Sequence, residues 1–308
     1  ATLCREALMP EISFWQFLMD LANPQLSFLP RALIVAVIAS VVCAVVGCYV
    51  VLRGMAFIGD AVAHAVFPGL AVAFALQASV LLGGAVAGMV VAVLIAVFSQ
   101  RERVKEDTVI GIFFAAAFAL GLVIISRVEG YTASLTSFLF GSLTGVSTGD
   151  MWVSLAAGTL VVALIIGLRP WLTAVSLDRE TARSMNLPVL ALDLLLYLAV
   201  TTAVVISVRT IGNILVVALL VTPAAIARMY TDKLGVMMAL AAGAGITGSV
   251  LGVWLSWAYD TPTGATVVLC LTVIFVLSWL FAPQQGLVTE RIRNRAPKER
   301  TNVDAVSR

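Results

Sequence analysis

Nine apolar blocks, each about 17 to 24 residues long, divide this chain and leave only short polar stretches between them. They run over residues 31–52, 56–77, 80–99, 108–126, 151–168, 190–207, 211–229, 234–257 and 263–282. An α-helix needs ~20 apolar residues to cross the hydrocarbon core, so that many blocks cannot share one water-facing core. Apolar residues make up 61% of the 308 and charged residues 12%. A soluble domain carries about twice that share of charge, which excludes soluble enzymes and nucleic-acid binders. Each block is continuously apolar, whereas a spanning β-strand is about 10 residues of alternating character. The expected fold is therefore all-α, a polytopic transmembrane helical bundle. Only Gln77 to Ser79 separate the second and third blocks, so eight or nine spans are both compatible with the pattern.

Lysine and arginine in short loops mark the cytoplasmic face. With the C-terminus inside and nine spans, fifteen of the nineteen basic residues fall inside, and only Arg5, Arg31, Arg127 and Arg209 fall outside. The chain is expected to divide into an N-terminal interfacial segment (1–29), a transmembrane domain (30–283) and a basic cytoplasmic tail (284–308). In the first part, Phe14, Trp15, Phe17, Leu18 and Leu21 have the spacing of an amphipathic helix lying in the interface. The tail's charge suits anionic lipid. Cys4, Cys43, Cys48 and Cys270 form no CxxC pair and read as small buried hydrophobes.

Among the 17 acidic residues, Asp60 is taken as the only one clearly inside an apolar block, and the sole histidine, His64, follows four residues later. That spacing puts both side chains on one helix face. An ionisable group at membrane depth usually faces a bundle interior or a wet cavity and has a partner. A carboxylate and a neutral imidazole together suit a divalent transition metal. Two other readings fit the same residues: the two side chains satisfy only each other, or Asp60 lies near the cytoplasmic end and is partly hydrated. Two ligands are too few for a tight site, and two-fold symmetry would supply a second pair. With no thiolate in the set, Mn(II), Fe(II) and Zn(II) all fit. Pro68 and Gly69, one turn on, are expected to kink or interrupt the helix and free carbonyls near the site.

The run Gly47-Cys48-Tyr49-Val50-Val51-Leu52-Arg53-Gly54-Met55, followed by Gly59-Asp60-Ala61-Val62-Ala63-His64-Ala65-Val66-Phe67-Pro68-Gly69, resembles the permease subunit of the manganese, zinc and iron ABC importers (the ABC-3 family). Phe138 to Leu143, Ser207 to Gly212 and Ala218 to Ala225 extend the likeness, which covers about Pro30 to Pro283. The resemblance implies a homodimeric permease in the cell membrane whose two copies of Asp60 and His64 bind the metal in transit, manganese first, zinc or iron(II) as alternatives. It implies no permanently bound cofactor and two partners, a cytoplasmic ATPase dimer and an extracellular or periplasmic metal-binding protein. Gly59 and Ala63 depart from the family pattern, which commonly has serine at both positions.

Lys105, Lys233 and Lys298 are the only lysines and none follows glycine, so the phosphate loop GxxxxGK[ST] is missing and ATP hydrolysis would fall to a separate subunit. Residues 177–188 suit a short docking helix. Asp178 can cap it, Glu180 complements its positive end, and Asn186 with Pro188 stops it. Ala182, Met185 and Leu187 are the expected contacts for the ATPase. A solvated connector is the plainer reading of the same stretch. The outside segment 127–150 fits a re-entrant gate or a seat for the metal-binding protein. A competing function class is a proton-coupled secondary transporter, since carboxylate and imidazole also serve proton pathways. An intramembrane hydrolase finds no further triad or metal set.

Overall fold

The computed structural model describes residues 14–77, 80–100, 104–127 and 148–282. The basic tail and nearly all of the 127–150 segment lie outside them. Twelve α-helices are present among the described residues: α1 Phe14–Leu21, α2 Phe28–Arg53, α3 Ile58–Ala75, α4 Val80–Phe98, α5 Glu106–Ile125, α6 Thr148–Gly167, α7 Arg169–Leu177, α8 Arg179–Ser184, α9 Val189–Ile211, α10 Asn213–Arg228, α11 Leu234–Tyr259 and α12 Thr263–Phe281. Nine of these coincide with the nine apolar blocks. Five are long and apolar enough to cross a membrane, six if the bent pair α6–α7 counts as one span, and the apolar stretches Leu82–Phe98 and Leu215–Arg228 are shorter. Length and composition alone therefore do not establish eight or nine spans.

The bundle is built around α2. Of the residues in its apolar window 72% are buried, against 22% for α5 and for α12. It packs on α6, α9, α10 and α11, while α3, α4 and α5 form an adjoining group. Leu82, Val86, Val90, Ile112, Leu160 and Leu269 stand exposed on the outer helices. Such a surface is far more apolar than a water-facing monomer tolerates and suits lipid. Inside, Ser40 and Ser249 share a hydrogen bond between α2 and α11, where Gly245 brings the two backbones together.

The expected amphipathic segment is α1. Phe17 is buried, Trp15 and Met19 are exposed, Phe14 meets Trp254 edge-on at 5.6 Å, and Trp257 Nε1 donates to Asp20 Oδ2 at 3.1 Å. The segment is therefore tied to α11 by an ordered contact as well as by its apolar face.

Between α6 and α7 the chain turns by 68° at Leu168. Pro170 sits in the first turn of α7, where its missing N–H costs nothing. Leu172 and Val175 anchor α7 to the bundle while Trp171 faces outward.

Candidate functional site

Gly54 ends α2 with φ +71°, a left-handed conformation that glycine adopts without steric cost. Its N–H reaches the carbonyls of Val50 and Val51, and the chain restarts as α3 four residues later. Ile58, Ala61, Val62 and Ala65 are buried and fix α3 against its neighbours. This leaves Asp60, in the first turn, with a side chain 40% exposed, and His64 with one 22% exposed. His64 Nε2 lies 3.3 Å from Asp60 Oδ1. Both belong to one face of α3, as their spacing requires.

The imidazole is steadied from α5. Phe114 and Phe118 present ring contacts at 5.2 Å and 5.1 Å, both near-perpendicular to it, and stack on each other one helical turn apart. Sequence reasoning missed these two, because in an apolar helix that also carries Phe113 and several Ile and Leu nothing sets them apart. Gly59 also packs against the end of a side chain on α10. A Cβ at Gly59 would come within 2.8 Å of Leu220 Cδ2 on α10.

The expected break at Pro68 is not found: α3 runs through Pro68 to Ala75. Gly69 serves contact with α4, where an added Cβ would lie 2.1 Å from the Gly83 carbonyl oxygen. Pro68 still has no N–H to offer the His64 carbonyl, the acceptor four residues back. Beyond this turn, α3, α4 and α5 line an open apolar groove of about 700 Å³, bordered by Ala65, Pro68, Val72, Val86 and Leu120 among others, with no charged residue.

Asp60 and His64 are the two potential metal donors that meet on this face of α3. Among the described residues no three His, Cys, Asp or Glu side chains gather to hold an ion. A divalent transition metal takes four or more donors. The pair on α3, one carboxylate and one imidazole, both partly exposed, is fewer than that.

The predicted docking helix is α8. Asp178 caps it by accepting from the N–H groups of Glu180 at 2.9 Å and Thr181 at 3.2 Å. The Thr181 hydroxyl and N–H, with the Glu180 N–H, hold the Asp178 carboxyl below its ordinary range. At the other end Asn186 takes φ +57°, and the N–H of Leu187 reaches back to the Ala182 carbonyl at 3.1 Å. That closure follows the helix end at Ser184, four residues before Pro188. Asp178, Glu180 and Met185 are exposed, whereas Ala182 is wholly buried and Leu187 packs on the core. Ala182 and Leu187 thus fasten the helix to the bundle; Ala182, wholly covered by its own chain, does not face a partner as expected, while Leu187 stays half-buried. A six-residue helix must bury one face of its own to stay attached.

Asp60 is also not the only acid inside an apolar block. Asp193, near the start of α9, is fully buried. It accepts from Arg53 Nη1 at 2.7 Å and Gln100 Nε2 at 3.0 Å, and Arg179 Nη2 lies 3.1 Å from its other oxygen. Arg179 also donates to Glu106 Oε1 at 2.8 Å. Its place one turn into the helix made Asp193 resemble a solvated end residue.

Comparison with known proteins places this architecture. Residues 25–282 match the model of the ABC 3 transport family. The chain is 40% identical over 273 residues to the manganese transport system membrane protein MntC of Halalkalibacterium halodurans, covering 89% of this chain and 94% of that one. It is 38% identical over 269 residues to the protein of the same name from Listeria monocytogenes, covering 87% and 96%. Among solved structures it resembles a chain of PsaBC from Streptococcus pneumoniae in complex with Fab, with a TM-score of 0.79, 33% identity and coverage of 91% of this chain and 100% of that one. Its helical bundle and these matches along nearly its whole length agree: the chain belongs to the ABC 3 transport family.

Proposed function

We propose that this chain is the membrane permease of an ATP-driven importer of Mn(II), working as a homodimer in the cell membrane with nine spans and its C-terminus in the cytoplasm. The observation that carries the reading is the half-site: Asp60 and His64 on one face of α3, 3.3 Å apart and partly open at the chain surface. A second copy related by a two-fold axis supplies the same donors, giving two carboxylates and two imidazoles. That set has hard oxygen and borderline nitrogen and no sulfur, which suits Mn(II); zinc and iron(II) share the same donors. The names of the relatives favour manganese.

A separate ATPase docks on the exposed face of α8, where Asp178, Glu180 and Met185 stand, and a metal-binding protein delivers the ion on the opposite side. Holding the ion by few donors keeps its release fast enough for transport. Uptake of Mn(II) into proteoliposomes containing permease, ATPase and metal-binding protein tests the reading. Asp60→Ala is expected to reduce uptake to the leak of empty vesicles with the complex still assembled. Normal uptake by that variant rejects it.

A further inference from the structure

The half-site and α8 lie in different parts of the chain, and what joins them is ionic. Arg179, the first residue of α8, donates to Glu106 Oε1 at 2.8 Å and to the Ser99 carbonyl at 3.1 Å. Glu106 opens α5 and also accepts the Tyr197 hydroxyl from α9. Arg53, the last residue of α2, pairs with Asp193 at 2.7 Å and donates through Nε to Ser176 of α7 at 2.9 Å. Five helices thus meet in one cluster of two acids and two arginines.

Two of those five lead straight to the metal donors. Arg53 precedes Asp60 by seven residues across the Gly54 turn, and Glu106 precedes Phe114 and Phe118, which steady His64, by two and three helical turns. Arg179 ties both to the exposed segment.

The cluster also has an alternative pairing within reach. Arg53 Nη2 is buried with no hydrogen-bond partner among the described residues, and Arg53 Nη1 lies 3.9 Å from Glu106 Oε1. Withdrawing Arg179 leaves the buried Asp193 and the half-buried Glu106 facing one guanidinium, one carboxylate short of a countercharge. Arg53 then needs to close by only about 1 Å to reach Glu106 at hydrogen-bond distance. A two-state element whose balance one site biases is what coupling between distant sites requires.

We propose that Arg53, Glu106, Arg179 and Asp193 form the joint through which movement of the α8 segment reaches the helices carrying Asp60 and His64, with Glu106 as the positioning residue that exchanges Arg179 for Arg53. The inference rests on the transport reading above. It requires that disturbing Glu106 uncouple hydrolysis from transport, a result that a purely structural staple would not give.

The test measures Mn(II) taken up and ATP hydrolysed by the same proteoliposomes. Glu106→Gln is expected to assemble and hydrolyse ATP at the basal wild-type rate while moving about tenfold fewer ions per ATP, within the usual range for coupling between sites. Glu106→Asp, which keeps the charge with a shorter reach, should recover part of that ratio. A wild-type ratio for Glu106→Gln overturns the proposal. If that variant fails to assemble, Glu106→Asp is read alone, a lowered ratio supporting the joint and a wild-type ratio overturning it. An inactive Asp60→Ala beside a wild-type Glu106→Gln sinks the joint only; an active Asp60→Ala sinks the transport reading itself.

Discussion

Asp193 and Arg53 are 0% and 3% exposed, so neither is stabilised by water and each depends on the other. Removing one partner of such a pair leaves a buried charge, at a cost of about 3–5 kcal/mol. Asp193→Ala is therefore expected to lower the thermal unfolding midpoint of the detergent-solubilised protein markedly, while Asp60→Ala, on a partly open surface, leaves it nearly unchanged. Equal shifts for the two would contradict the contrast in burial. The same contrast explains what was legible at this scale. Asp60 and His64 announce themselves because an acid and the only histidine stand four apart in an apolar run. Asp193 hides because a carboxylate one turn from a helix start usually meets water, and only its partners from α2, α8 and the end of α4 reveal otherwise. Phe114 and Phe118 were unreadable as site residues because their significance lies in what they touch.

At the scale of the element, the nine long helices could be read directly, since each is a continuous apolar run that no other membrane structure satisfies. The bend into α7 could not: Arg169 to Leu177 is too polar and too short to register, and the anchoring of Leu172 and Val175 decides its direction. The cap of α8 was legible because its chemistry is local. Asp178 is held below its ordinary range, so its capping contribution is complete above the normal carboxylate value and is lost as pH falls through the lowered one. Amide protection of Glu180 and Thr181, taken as a ratio to an Asp178→Asn variant whose cap does not titrate, should be flat around neutrality and fall only in acid. A change near neutrality would contradict it. Where α3 meets α4, Gly69→Ala drives a Cβ into the Gly83 carbonyl and should destabilise by roughly 1–3 kcal/mol, as overpacking does. Chemical denaturation that left the midpoint unmoved would show that the two helices can separate freely.

Across the whole molecule, the deeply buried α2 serves as the axis on which the other helices pack, while α5 and α12 expose apolar surface to lipid. α5 thereby has one end in the ionic cluster and its middle against His64, an arrangement that sequence order alone does not announce. The proposed metal site at Asp60 and His64 has two donors in one chain and therefore requires that two copies meet. Equilibrium binding of Mn(II) to the purified permease–ATPase complex, followed by pulsed electron paramagnetic resonance, tests that most directly. The account predicts one bound ion per two permease chains, nitrogen coupling that disappears in His64→Gln, and no binding in Asp60→Ala. One ion per chain, or an ion retained by the Asp60 variant, would contradict it.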